Sequence, residues 1–284
     1  MQKALGINPT RYKILERELR HALSKTTNED YKKWALYTSF VFPQVTVRRA
    51  KNLAEFAGKI VKGAYSEAKD LVNAGIKRKL LEHTKQRTND LIKCSKESLK
   101  YFKESISNFN KLIKNEPKDA AIKIFAALMG FNVGGGGIDG DGGIPDTDLW
   151  VSIGAHRSIF THSVLPMIFF EGLSLSMIRL VKIIHVNLPY DHDPLWDDIK
   201  NNNEKFVEIF YNGMSAGLIY HLSFDATIDG EGTYKNLPFS MPQYGHQILL
   251  ALNSLTELVD LKSKKKKLFW KNNILGKKVA KKQK

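Results

Sequence analysis

The sequence predicts a mainly helical fold, and the spacing of its apolar residues supports this prediction. Over residues 47–73, apolar side chains recur every three to four positions, and Lys and Arg fill much of the opposite face. The same spacing recurs over residues 91–113, and mostly apolar helical patterns follow at 164–186 and 206–219. Long amphipathic helices are therefore expected to precede a second, more apolar group of helices.

Composition limits the class of protein. The chain has 284 residues, 43% of them apolar, which is enough for a substantial core. Cys94 is the single cysteine, so an intrachain disulfide and a cysteine zinc cluster are excluded and a reducing compartment is favoured. The uncharged stretches at residues 34–47 and 158–170 fall short of the roughly 18 residues that a spanning helix needs, and no secretory signal pattern opens the chain. We therefore expect a cytoplasmic protein.

The net charge of +15 is distributed unevenly and predicts three regions. Residues 1–118 carry +14, residues 119–260 carry −10, and residues 261–284 carry +11. Basic helices and a basic tail are expected to bind an anionic partner, either phospholipid headgroups or nucleic acid, whereas the acidic region can gather carboxylates around cations. Two alternatives do not need an anionic partner. The tail can simply be solvated, and the apolar face of the helix at 47–73 can pack against another helix. The aromatic pair Phe269-Trp270 beside the tail lysines favours a lipid interface or single strands.

A glycine-rich segment lies near the start of the acidic region. A short helix is expected to begin near Pro117 and to stop at Gly130, before a loop at residues 134–143. The loop is not an EF-hand, because Ile144 stands where that motif needs Gly. It also lacks the Lys-Ser/Thr ending of a nucleotide-binding P-loop.

Three motifs in the acidic region carry metal-binding chemistry. The first has two aspartates two positions apart, the second has two histidines and an arginine within seven residues, and the third has a histidine and an aspartate one helical turn apart. In chain order they are Asp146 and Asp148, then His156, Arg157 and His162, then His221 and Asp225. Mixed imidazole and carboxylate donors suit zinc, manganese or iron better than calcium.

Together these motifs resemble the predicted membrane-bound, metal-dependent hydrolases of the bacterial LexA-regulated inner-membrane type. That family is distantly similar to helical zinc-dependent phospholipases C and single-strand nucleases. The resemblance covers residues 144–232, and its most specific part is His156-Arg-Ser-Ile-Phe-Thr-His162-Ser163. It implies a helical hydrolase core at residues 119–260, with peripheral attachment to the inner membrane as an option. The implied metal ligands are Asp146, Asp148, His156, His162, His221 and Asp225.

The resemblance also implies an activity: cleavage of a phosphoester, phospholipid or nucleic acid by metal-activated water. Arg157 would contact the phosphate, and Asp229 or Asp141 is a candidate for proton transfer, although each is also typical of an ordinary loop aspartate. One or two divalent ions, zinc or manganese, are expected, and the number stays open because Leu149 stands where the family often has His. The alternative is a non-enzymatic membrane- or nucleic-acid-binding protein with a structural metal site.

A rival metal set uses His192-Asp193. The order His162, His192-Asp193, Asp225 matches phosphohydrolases of the HD type, but the prolines at 189 and 194 disfavour the helix on which such a doublet normally lies. Covalent catalysis is unsupported, because the chain has no Gly-x-Ser-x-Gly elbow and Cys94 has no adjacent His.

Overall fold

The computed structural model describes residues 9–73, 107, 110–138, 142–150, 157–227, 234, 237 and 240–274. Every secondary-structure element in these ranges is helical, which confirms the predicted mainly α fold. The elements are α1 (Pro9–Lys25), α2 (Asn28–Asn73), α3 (Pro117–Gly135), a 3-10 helix (Pro145–Trp150), α4 (Leu165–Val186), α5 (Leu195–Thr227), α6 (Gln243–Leu261) and α7 (Lys264–Ile274). Most of the helix predicted at 91–113 lies outside the described residues.

The chain divides into two compact units, whose boundaries differ from those suggested by charge. One unit comprises Met1–Ala50 and Ala126–Lys284, and the other comprises Lys51–Phe125. Within the second unit, Ile60, Val61 and Tyr65 of α2 are exposed. The first unit contains all the described residues of the three predicted metal-binding motifs. Its helices position the candidate site.

Glycines allow α3 and α5 to pack with their backbones in close approach. The prediction that α3 stops at Gly130 is wrong, because the helix continues to Gly135. A Cβ atom at Gly130 would lie 2.9 Å from the amide nitrogen of Met214, and one at Gly134 would lie 2.8 Å from the Met214 Cα. Gly130 therefore serves the helix crossing rather than a helix end. Gly217 makes the reciprocal approach from α5, towards the backbone of α3.

The core of the first unit combines apolar packing with a buried ionic network. Apolar side chains of α2, α4, α5, α6 and α7 pack together, among them Val45, Leu175, Leu218 and Leu250. Within this core lie three basic and three acidic side chains that are almost inaccessible to solvent. These six residues, which we call the buried ionic network, are Arg48, Arg49, Lys266, Glu171, Glu257 and Asp260.

Glu171 is the centre of the buried ionic network. Its carboxylate accepts hydrogen bonds from Arg48 at 2.7 and 2.8 Å, from Arg49 Nε at 3.0 Å and from Trp270 Nε1 at 2.7 Å. Arg48 also binds Asp260, and Arg49 binds Glu257. Side chains from α2, α4, α6 and α7 thus satisfy one another's charges inside the core.

The burial of Trp270 corrects the prediction that it is an interfacial anchor. Trp270 is 2% exposed and its ring packs against Tyr211, with the ring centres 5.3 Å apart. Leu268 stays exposed, and Phe269 is half-buried. The first part of the predicted tail is therefore α7, a structural helix of the first unit. Among the described helices, none is both long enough and apolar enough to cross a membrane.

Candidate metal centre

Three segments of the first unit bring the predicted ligands together. The 3-10 helix carries Asp146 and Asp148, the turn before α4 carries His162, and α5 carries His221 and Asp225. His221 and Asp225 are four residues apart on a continuous helix, so both face the same side. All five side chains are buried.

Three of these residues form a group of close ligand atoms, and a fourth, Asp225, adjoins both of its histidines. Asp146, His162 and His221 each offer a ligand atom, and these atoms lie within 4.8 Å of one another. His162 Nε2 lies 3.7 Å from Asp146 Oδ1 and 3.7 Å from Asp225 Oδ2. His221 Nε2 lies 3.9 Å from the same Asp146 oxygen and 3.5 Å from the same Asp225 oxygen.

These spacings match what a metal ion requires. Ligands at about 2.0–2.2 Å from a tetrahedral zinc ion are about 3.3–3.6 Å from one another. The four imidazole-to-carboxylate separations, 3.5–3.9 Å, are slightly larger and would close by a few tenths of an ångström around an ion. Asp225 adjoins the group of Asp146, His162 and His221 through its contacts with the two imidazoles. Asp146, His162, His221 and Asp225 are the four-ligand cluster, and two imidazoles with two carboxylates suit zinc or manganese.

The hydrogen bonding of His221 directs its free nitrogen into the four-ligand cluster. His221 Nδ1 lies 3.4 Å from the carbonyl oxygen of Gly135 in α3. Because a carbonyl can only accept, Nδ1 carries the hydrogen, and Nε2 presents its lone pair when the ring is neutral. His221 Nε2 and Asp225 Oδ2 are both buried and have no hydrogen-bond partner among the described residues. Leaving such atoms unsatisfied is costly unless a cation binds them.

The structure places Asp148 behind His162, on the side opposite the cluster. Asp148 Oδ2 lies 3.4 Å from His162 Nδ1, whereas His162 Nε2 faces Asp146 and Asp225. The same oxygen accepts hydrogen bonds from the Ser158 amide at 2.8 Å and the Thr161 hydroxyl at 2.6 Å. This position suits a carboxylate that orients a ligand histidine.

The pKa values in the cluster are set by a balance between burial and charge. Burial alone would raise the pKa of Asp225, but its interactions with His221, His162 and Arg157 lower it below the ordinary range. The pKa of Asp146 is also lowered, because His162 and His221 outweigh the effect of burial. Conversely, burial would lower the pKa of His221, yet Asp225 and Asp146 raise it. The cluster therefore keeps its carboxylates ionised and favours positive charge.

Arg157 lies at the edge of the four-ligand cluster. Its Nη2 is 3.9 Å from Asp225 Oδ1, and its side chain is mostly buried. Arg157 also has a φ of 65°, in the left-handed region that a non-glycine residue rarely adopts. Strained backbone of this kind clusters at functional sites. Its guanidinium lies beside a carboxylate of the four-ligand cluster.

Some supporting residues of the cluster were not foreseen from the sequence. Tyr234 donates a hydrogen bond of 2.6 Å to the backbone carbonyl of His162, and Asn253 donates to the Tyr234 hydroxyl. Burial raises the pKa of Tyr234 well above its ordinary value, so the hydroxyl stays protonated and keeps donating. The Gly142 amide donates to Asp146 Oδ2 at 2.5 Å. No local pattern marks the contacts of Tyr234 with His162 and Asn253, because they depend on distant segments meeting, whereas Gly142 lies four residues from Asp146.

The remaining predicted site residues have different outcomes. His156, Asp229 and Asp141 lie outside the described residues. The HD-type set is wrong, because His192 contacts His185 and Asp197 rather than His162, and Asp193 pairs with Arg11 at 2.7 Å. Comparison with known proteins adds no relative: no family model, no curated protein and no solved structure matches this chain.

Proposed function

We propose that this protein is a metal-dependent hydrolase with its divalent cation held by Asp146, His162, His221 and Asp225. One observation carries the proposal: His221 Nε2 and Asp225 Oδ2, both buried and without a hydrogen-bond partner among the described residues, lie 3.5 Å apart. With His221 neutral, these two atoms are electron-pair donors that face each other, and a cation between them stabilises both; without a metal, a proton on His221 takes this place, in line with the raised pKa of His221. A bound divalent ion would supply a water molecule of lowered pKa for hydrolysis.

The proposed substrate class is a phosphoester, including phospholipid and nucleic acid. Arg157 supports this choice, because a guanidinium held within 4 Å of Asp225 can donate two parallel hydrogen bonds to phosphate oxygens. The guanidinium would also stabilise negative charge that develops on the phosphoryl oxygens. We expect Arg157→Lys to keep the metal and to lose turnover, since Lys retains the charge without the planar geometry.

Ligand substitutions test the proposal. We expect His162→Ala and Asp225→Asn to lose the metal and to lower turnover of a generic phosphodiester by more than about 100-fold, because each removes a direct donor. Asp119→Asn is the control, since Asp119 lies outside the three motifs in the sequence and forms a partly exposed pair with Lys123. Metal content, circular dichroism and turnover are measured on the same preparations. Full activity in a metal-free Asp225→Asn variant would rule out the catalytic role.

The second candidate function is a non-enzymatic binder of anionic lipid or nucleic acid, with the ion stabilising the fold. The observation that favours it is burial, since His162 is 0% exposed and a hydrolytic site needs a position open to substrate. Wild-type protein that binds metal stoichiometrically yet turns over neither phosphodiesters nor phospholipids would support this candidate.

The anionic partner is tested with exposed lysines rather than by removing the tail. Truncation after Leu261 would delete the buried Trp270 and so confuse binding with folding. Lys262, Lys267 and Lys271 are exposed, and we expect their joint replacement by Gln to weaken binding to anionic vesicles or DNA mainly at low salt. Binding to vesicles and binding to single-stranded DNA are measured separately. The partner for which the variant loses more affinity is the one that the lysines bind.

A further inference from the structure

A second cluster of histidine and carboxylate side chains lies where α4 leads into α5. His185 is in the last turn of α4, His192 is in the connector, and Asp197 is in the first turn of α5. The three residues offer ligand atoms within 4.8 Å of one another. His185 Nε2 lies 2.8 Å from Asp197 Oδ1, and His192 Nε2 lies 3.4 Å from Asp197 Oδ2.

The tautomer of His192 is fixed by the connector itself. His192 Nδ1 lies 2.7 Å from the carbonyl oxygen of Pro189. That oxygen only accepts, so Nδ1 carries the hydrogen and the Nε2 of a neutral His192 is a lone pair. This Nε2 is buried, has no hydrogen-bond partner among the described residues, and faces a carboxylate oxygen. Two acceptors that face each other need a positive species between them, either a proton or a metal ion.

Neighbouring groups leave Asp197 available for this role. The Asp193 carboxylate is occupied by Arg11, with hydrogen bonds of 2.7 and 2.8 Å. Glu18 is occupied by the Asp193 amide and by Trp196 Nε1. The hydrogen bond to His185 lowers the pKa of Asp197, and His192 lowers it further, so the carboxylate is ionised at neutral pH.

We propose that His185, His192 and Asp197 form a second metal site, which binds Zn²⁺ and fixes the end of α4 to the start of α5. Two imidazoles and one carboxylate are borderline-soft donors that suit zinc rather than calcium or magnesium. On zinc binding, the hydrogen that His185 Nε2 donates to Asp197 moves to His185 Nδ1, which frees the Nε2 lone pair for the ion. Asp197 is 54% exposed at its side chain, so it can move from 2.8 Å to the roughly 3.3 Å that shared coordination requires. The same exposure leaves room for water as the fourth ligand.

The site does not depend on the proposed hydrolase activity. It uses none of the four-ligand cluster, and its ligands belong to one local segment of thirteen residues, 185–197. The expected role is structural, because an ion held by two helix ends and their connector resists separation of those ends.

The test is zinc stoichiometry of the full chain, measured after loading with ZnCl₂ and dialysis against micromolar free zinc. In the His162→Ala background, which disables the four-ligand cluster, we expect one zinc per chain. Adding His192→Gln or Asp197→Asn should remove it, whereas adding His21→Gln, at an exposed histidine elsewhere, should not. Zinc should also raise the thermal unfolding midpoint of the His162→Ala protein and lose this effect with His192→Gln.

Two results would overturn the second site. Equal zinc content in the His192→Gln and His21→Gln proteins would show that these ligands hold no metal. A His192 ring that NMR shows to be protonated, with no response to zinc, would assign the contact with Asp197 to an ion pair instead. The absence of a metal at the four-ligand cluster would give a different result. In that case His162→Ala would leave the zinc content of the wild-type chain unchanged.

Discussion

At the scale of single residues, Asp148 and Asp146 have different roles although they are two positions apart in the sequence. Asp146 Oδ1 faces the Nε2 atoms of both histidines, whereas Asp148 Oδ2 lies beside Nδ1 of His162. A short 3-10 helix does not place residues two apart on one side, so the two carboxylates face different ring nitrogens. The sequence could therefore indicate both residues, but it could not separate the aspartate that faces both Nε2 atoms from the one beside His162 Nδ1.

The different positions of Asp146 and Asp148 predict that their substitutions lower metal affinity by different amounts. Asp148→Asn should lower metal affinity by about 10–100-fold, because it weakens the orientation of His162 and leaves the ligand atoms in place. Asp146→Asn should lower affinity more, because it removes a negatively charged donor. Isothermal titration with zinc compares the two isosteric variants directly. Equal losses for both would show that Asp148 is itself a ligand.

Because Lys266 is buried, we expect the free energy of unfolding to depend on pH. Burial lowers the pKa of Lys266 to about 8, against the opposing influence of Glu171, Glu257 and Asp260. In the unfolded chain Lys keeps its ordinary pKa of about 10.5, so between pH 8 and 10.5 the unfolded state binds more protons and stability rises with pH. The expected gain is about 2 kcal/mol between pH 7.5 and 9.5.

Urea unfolding at several pH values measures this gain. The matched variant is Lys266→Met, which has a similar apolar chain but no charge and should lack the rise. Measurements stop at pH 9.5, because Tyr211 has a pKa raised above its ordinary value and titrates in the opposite sense at higher pH. A wild-type stability that falls from pH 8 to 9.5 would contradict the assignment.

At the scale of elements, the sequence indicated the helices better than their ends. The patterns at 164–186 and 206–219 correspond to α4 and α5, because one-sided burial imposes the spacing of apolar residues. Gly130 was read as a stop from its local character, but it meets the backbone of α5, which only the folded chain supplies. The same crossing brings the Gly135 carbonyl to His221, a contact with no sequence signal.

The crossing of α3 and α5 gives an element-scale prediction. Gly134→Ala should lower the free energy of unfolding by about 1–3 kcal/mol, because its Cβ would overlap the backbone at Met214. It should also lower metal affinity, since α3 must move and carry Gly135 away from His221. Gly58→Ala is the control: a Cβ there meets nothing within 4 Å, so it should stabilise α2 by up to about 1 kcal/mol. Equal stability of the two variants would disprove the close crossing.

At the scale of the whole molecule, the buried ionic network connects distant parts of the chain. Arg48 and Arg49 from α2 reach acids of α4 and α6, and Trp270 of α7 shares the same carboxylate, Glu171. None of these residues forms a local motif. The uneven distribution of charge along the sequence predicts that the basic segments bind an anionic partner and the acidic segment binds cations, and not that they pair with each other. Their pairing follows from tertiary packing, which the sequence does not display.

Substitution of Glu171 tests the contribution of the buried ionic network to stability. Glu171→Gln should lower the free energy of unfolding by about 3–5 kcal/mol, because it leaves two buried guanidinium groups with too little negative charge. Glu204→Gln is the control, since its ion pair with Lys182 is about one-third exposed and should contribute less than about 1 kcal/mol. Denaturant unfolding of both variants at neutral pH gives the comparison, and a loss at Glu171 as small as that at Glu204 would contradict the buried network.

The central claim is that Asp146, His162, His221 and Asp225 hold one divalent cation. Anomalous diffraction at the zinc edge, from crystals of the zinc-loaded full chain, tests it most directly. The claim predicts an anomalous peak about 2.0–2.2 Å from His162 Nε2, His221 Nε2 and oxygens of Asp146 and Asp225. Density that shows these four side chains well ordered around the same volume, with zinc in excess and no anomalous peak among them, would contradict the claim.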